Sequence, residues 1–275
     1  MSNTTARRPP EGDWLGTPFV RFERHGSLGH CIVDRPERRN AMTGAMYFAV
    51  RYAISLVQAD RELAGLLIRG TGDVFIPGGD MSAENPDGWA NFNELLGWDN
   101  TPFEALRCAR KPVVSAVNGI AQGGGMMIAM MSDVAVASDR ASFRAPELLR
   151  GIPDTHYGHI LPRHIGPSRA RDLLLTGRTL DANEACEWGI VTRVVPHDQL
   201  IDESIEVLSA CCRTGPQARA RIKADLHAYY GQFDRIGMES SRWNGEAAEG
   251  FLAFKERRPP SWIPPDLWPD DGRRL

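Results

Sequence analysis

A strand that runs straight into three glycines and on into an apolar helix leaves few architectures open. The stretch is Pro112–Asp133, PVVSAVNGIAQGGGMMIAMMSD. Its pattern predicts a buried strand over Pro112–Val117, a turn at Asn118-Gly119, and a helix from Met126 to about Met131. Glycine in a helix costs about 1 kcal/mol relative to alanine. Gly123, Gly124 and Gly125 together at a first turn therefore imply a backbone that must stay bare. A bare helix N-terminus offers unpaired N–H groups and the positive end of the helix dipole. That is a ready site for a negative oxygen. The same glycines also suit a tight turn with close helix–strand packing. A second loop follows the same plan. A strand, Leu66–Gly70, leads to Thr71-Gly72-Asp73-Val74-Phe75-Ile76-Pro77-Gly78-Gly79-Asp80-Met81, with Asp80 placed to cap a following helix. Two such loops can each point one N–H at the same atom.

The rest of the 275 residues reads as a soluble α/β protein, with 42% hydrophobic and 24% charged residues. A net charge of −3 argues against general nucleic-acid binding. The polar N-terminus lacks the apolar run of a signal peptide, and no window reaches the ~20 apolar residues of a membrane span. The five cysteines form no CxxC pair and no zinc spacing, which suits reduced thiols in the cytoplasm and no metal. There is no GxGxxG after a strand, no GxxxxGK[ST], no HExxH and no GxSxG, which argues against nucleotide, zinc-protease and serine-hydrolase chemistry.

Along the chain, residues 1–16 read as a disordered segment, 17–196 as an α/β core, 197–258 as a helical region and 259–275 as an irregular tail rich in proline and tryptophan. Phe19–His25 and His30–Val33 form a hairpin. Thr43 caps a helix to about Asp60 that buries Met46, Val50, Ala53, Ile54 and Val57. Glu84–Trp98 is interrupted by Pro86, Gly88 and Gly97 and is expected to form a mobile wall; a run over Phe103–Ala109 is helical. Val134–Ala137 and Ser142–Arg144 are strands. Pro146 suits the first position of a helix, with Glu147 just behind it. Helices follow over Ser168–Thr176, from Asp181 to Gly189, and over roughly 198–213, 215–230 and 235–257, with a strand at Val191–Val195.

Several segments in order resemble the crotonase superfamily, the enoyl-CoA hydratases and isomerases. They are Asp34-Arg35-Pro36-Glu37-Arg38-Arg39-Asn40-Ala41-Met42-Thr43, the two glycine loops, Ala141–Glu147, Leu174–Arg178, Ala185–Val191 and Phe251–Arg258. Together they run from about Val20 to Arg258. The resemblance implies a spiral of β-β-α units followed by a C-terminal helical trimerisation region. It implies a homotrimer or dimer of trimers acting on an acyl-CoA thioester, with coenzyme A entering as part of the substrate. Its shared device is an oxyanion hole of two backbone N–H groups, here those of Gly79 and Gly124.

Acid–base residues decide the reaction. The resembling hydratases carry one glutamate on the glycine helix and a second beyond the following strands. The first position is Met127, which cannot carry a proton and suits pocket lining; the second is Glu147. A single base that takes a proton from C2 and returns it at C4 suffices to move a double bond, so the pattern favours an isomerase. A hydratase, or a hydrolase cleaving a C–C bond of a cyclic β-dicarbonyl compound, stays open if His156 or Asp154 helps to hold a water. So does a non-catalytic acyl-CoA-binding protein, since the first glutamate is missing. Arg150, one turn on from Glu147, can pair with it and lower its basicity. Met81 and Thr155 are further pocket candidates. The resemblance directs Arg35, Arg38, Arg39 and Ala41 to the adenine and phosphates of coenzyme A, and Phe254 and Lys255 to coenzyme A on a neighbouring subunit; the basic residues equally suit a solvated loop.

Overall fold

The computed structural model describes residues 15–82, 101–229 and 245–263. The expectations for residues 1–14, for the wall over Glu84–Trp98, for residues 235–244 of the last helix and for the end of the tail lie outside these residues. The chain divides into two compact units, residues 1–143 with 180–229, and residues 144–179 with 230–275.

In the first unit, β1 (Val20–His25) and β2 (Leu28–Val33) form the expected hairpin, with Val20 opposite Val33. Gly26 makes its turn at φ 61°. Helix α1 (Gly44–Ala59) starts where the Thr43 side chain accepts a hydrogen bond from Met46 N, and the five predicted apolar positions are all buried. β3 (Gly65–Gly70), β5 (Val113–Val117), β7 (Val134–Ser138) and β10 (Arg193–Val195) then extend the sheet in parallel, in the order β1-β2-β3-β5-β7-β10. Shorter strands, β4 (Val74–Ile76), β6 (Ile120–Gln122), β8 (Ser142–Arg144) and β9 (Thr179–Asp181), build a second sheet in the order β4-β6-β8-β9. Each turn of the chain thus lays one strand in each sheet.

The corners between the sheets are stitched by side chains. Asn118 accepts from Gly70 N at 3.1 Å and donates to Gly72 O at 2.8 Å. A Cβ on Gly119 would fall 1.8 Å from Asp73 O, so successive corners stack with no room for a side chain. One face of the first sheet buries Leu67, Val114, Ala116 and Val136 against Leu200, Val207 and Leu208 of a helix over Leu200–Cys212. Full burial of such a side chain contributes about 1.5–3 kcal/mol. Helix α2 (Pro102–Cys108) lies one residue from its expected place.

Helix α3 (Gly124–Met131) begins two residues earlier than expected. Gly123, at φ 52° and ψ −125°, is the residue before it. That conformation is open to glycine, so the chain turns there and the next two glycines fall inside the helix.

In the second unit the helix expected behind Pro146 is a single 3-10 turn, Leu148–Arg150. Gly151 ends it at φ 66°, and Ile152 N bonds back to Glu147 O at 3.0 Å. Among the described residues this unit also holds helices over Thr155–Ile165, Pro167–Thr176 and Glu246–Glu256. The last packs on the 3-10 turn so closely that a Cβ on Gly250 would lie 2.3 Å from Arg150 O. Among the described residues no helix is long and apolar enough to cross a membrane.

Candidate active site

The two glycine loops leave the same ends of neighbouring strands. β4 and β6 run parallel, with Val74 opposite Ile120 and Ile76 opposite Ala121. The loops touch, since a Cβ on Gly78 (φ 101°) would stand 3.4 Å from Gln122 O. Met42 N donates to Gly78 O at 2.9 Å, and Asp80 N donates to Met42 O at 2.8 Å. In a trans peptide the C=O and N–H point opposite ways. Holding Gly78 C=O on Met42 therefore turns the N–H of Gly79 away from Met42. Gly124 is the first residue of α3, where N–H groups have no partner within the helix. The close-packing reading of the triplet is found here. A Cβ on Gly124 would meet the Tyr47 hydroxyl at 2.3 Å, and one on Gly125 would meet Ile76 O at 2.0 Å.

The basic segment before α1 divides in two. Arg38 and Arg39 are exposed and Ala41 is half-buried, but Arg35 is only 2% exposed. Its Nη1 donates to Asp80 Oδ2 at 2.7 Å and to Ala41 O at 2.8 Å, and its guanidinium lies 5.1 Å from the Phe19 ring centre. Asn40, held at φ 62°, accepts from Arg35 N and donates to Thr71 O and Val74 O. Burial opposes the charge on Asp80, yet hydrogen bonds from Ser82 and Arg35 hold its carboxyl below the usual range. Nothing in the sequence marked Arg35 as a core residue, because its partner lies 45 positions away.

In the second unit, Glu147 Oε2 is enclosed and has no hydrogen-bond partner among the described residues. Burial, and then the charge of Asp154, push this carboxyl from 4.5 up to about 8, against the pull of Arg150 and Arg144. Arg150, expected to pair with Glu147, sets its guanidinium 5.2 Å from the Phe254 ring centre, and its Nε also lacks a hydrogen-bond partner among the described residues. An unpaired buried polar group costs about 1–3 kcal/mol, so a carboxyl kept in that state is a functional candidate. Asp154 caps the following helix, with Oδ1 accepting from His156 N at 2.9 Å and Tyr157 N at 3.3 Å. His156 Nδ1 lies 3.6 Å from the same oxygen, and Thr155 is the helix's first residue. Phe254 and Lys255 are exposed on the last helix; in the first unit, Met127 is buried on α3 and Met81 is half-buried.

A chain wound alternately through two sheets, with glycine loops side by side on parallel strands, has the crotonase fold. The sequence agrees: residues 23–264 match the family described as enoyl-CoA hydratase/isomerase, and the chain belongs to that family of acyl-CoA enzymes. It is 32% identical to a probable mitochondrial enoyl-CoA hydratase of Dictyostelium discoideum over 252 residues, 87% of this chain and 89% of the relative. It is 34% identical over 266 residues to a carnitinyl-CoA dehydratase of Citrobacter koseri, covering 88% and 97%. Among solved structures, a monofunctional enoyl-CoA isomerase from M. smegmatis superposes with a TM-score of 0.67 at 30% identity, covering 82% of this chain and 99% of that one.

Proposed function

We propose that the protein moves a double bond along an enoyl-CoA thioester, with Glu147 as the sole proton carrier. The observation that carries this reading is the Glu147 carboxyl, raised to about 8 with its Oε2 enclosed, in a chain that has Met127 where the resembling hydratases carry the first of their two glutamates. One group must accept a proton from C2 of a 3-enoyl-CoA and deliver it to C4. A pKa near the working pH suits both halves of that task. Between them the charge sits on the thioester oxygen, where the N–H groups of Gly79 and Gly124 stabilise it; one such donor is worth ~2.7–4 kcal/mol. Coenzyme A is held by the exposed Arg38 and Arg39 beside Ala41, and by Phe254 and Lys255 of a neighbouring copy in a trimer or dimer of trimers. The five free cysteines suit work in the reducing cytoplasm.

A second reading rests on Asp154, whose charge acts on Glu147. Two carboxylates near one another can hold and activate a water, for hydration or for cleavage of a β-dicarbonyl compound. The commitment of Asp154 Oδ1 to its helix cap favours the single-carrier reading. The test is an absorbance assay of the conjugated thioester. Gain of conjugation from a 3-enoyl-CoA, with little loss from a 2-enoyl-CoA, is expected. Loss from the 2-enoyl-CoA that disappears in Asp154→Asn would establish the second reading instead.

A further inference from the structure

Arg35 is too deeply buried to meet a ligand, yet its hydrogen bonds lead to the Gly79 donor. Nη1 donates to Ala41 O at 2.8 Å. The other end of that peptide is Met42 N–H, which donates to Gly78 O at 2.9 Å. The other end of the next peptide is Gly79 N–H. Guanidinium, peptide, peptide and donor thus form one head-to-tail chain, with a fixed positive charge at its head. Each bond in such a chain polarises the next, more so away from water. The arrangement is closed on its far side, where Asp80 Oδ2 binds the same Nη1 at 2.7 Å and Asp80 N binds Met42 O at 2.8 Å. Phe19 covers the guanidinium and Asn40 fixes the Arg35 backbone.

We propose that Arg35 is a positioning residue whose guanidinium, through the Ala41–Met42 and Gly78–Gly79 peptides, orients and polarises the Gly79 N–H that binds the thioester oxygen. The inference rests on the oxyanion reading of Gly79. It separates the basic segment into a buried head that serves the reacting carbonyl and an exposed part, Arg38 and Arg39.

The experiment is infrared difference spectroscopy of hexanoyl-CoA labelled with 13C at the thioester carbonyl, bound to the full-length protein, alongside kcat and Kd. The natural chain should lower the carbonyl stretch relative to free thioester. Arg35→Met/Asp80→Asn removes both buried charges together, so neither is stranded. It should raise the stretch towards the solution value and cut kcat about 10- to 100-fold, the scale of a displaced reacting group, with Kd within about threefold of the natural chain. Arg35→Lys keeps a charged donor without the fork and should recover part of both effects; it also serves if the double variant does not fold. A folded double variant with natural kcat and stretch overturns the proposal, as does Arg35→Lys identical to the natural chain in both. No lowering of the stretch in the natural chain would instead remove the oxyanion reading, and this inference with it.

Discussion

Glu147→Gln should gain resistance to unfolding, relative to the natural chain, as pH rises. Glutamine keeps the shape of the side chain and cannot ionise. The carboxyl it replaces titrates at 4.5 in its ordinary state and at about 8 in the fold, chiefly because burial disfavours its charge and secondarily because of Asp154. The folded protein therefore holds this proton more tightly than the unfolded chain does. The stability it contributes is complete below pH 4.5 and is lost as pH climbs through 8. At 1.36 kcal/mol per pKa unit, the loss is roughly 1 kcal/mol at pH 5, roughly 3 at pH 7 and roughly 5 at pH 9. The glutamine amide brings its own unpaired donor, at about 1–3 kcal/mol. That cost is the same at every pH, so the slope carries the test. Urea unfolding of both proteins at the three pH values should give curves that diverge by about 4 kcal/mol from pH 5 to pH 9. Parallel curves would refute the claim that this carboxyl is held protonated by its surroundings.

Other consequences are quicker to check. Because a general base works only when deprotonated, kcat/KM for a 3-enoyl-CoA should rise with pH, reach half its limit near 8 and then level off; a profile flat from pH 6 to 9 would contradict this. Gly125→Ala puts a Cβ 2.0 Å from the backbone oxygen of Ile76 and should cost at least about 1–3 kcal/mol, whereas Gly158→Ala meets nothing within 4 Å on an exposed helix face and should gain up to about 1 kcal/mol. Thermal melts that rank these two the other way would be inconsistent with the packing described. Lys223→Met removes the cation that reaches Asp133 at 2.5 Å, while Val113 N still donates to the same carboxylate, and should cost about 1–3 kcal/mol in a denaturant titration; a loss below about 1 kcal/mol would mean that water already solvates the pair.

What the sequence made legible was mostly local. The strands into glycine, the Thr43 and Asp181 caps and the apolar face of α1 each depend on a few adjacent residues, and each is found. The alternation between two sheets was not readable from the chain itself, because β4, β6 and β8 have three residues each, too few to show a period. Glu147 read as the start of an α-helix because Pro146 is a good first residue, but Gly151 closes the turn after one round. Long-range polar partners were invisible. Asn118 looked like a turn residue and is a stitch between corners; Lys223 sits in a helix otherwise rich in exposed residues and is buried on Asp133, 90 positions away. Arg35 looked like one basic loop residue among three and belongs to the interior. In each case the signal lies in a pair of distant residues, which no single window contains.

The most direct test of the central claim is turnover of a 3-enoyl-CoA by the natural chain and by Glu147→Gln, followed as gain of conjugated thioester, with acyl-CoA affinity measured on the same samples. A sole proton carrier predicts a fall in kcat of at least about 100-fold, within the usual contribution of a general acid–base group, while affinity for a saturated acyl-CoA is retained. A Glu147→Gln protein that isomerises the substrate at the natural rate would contradict the assignment and move the proton carrier elsewhere in the chain.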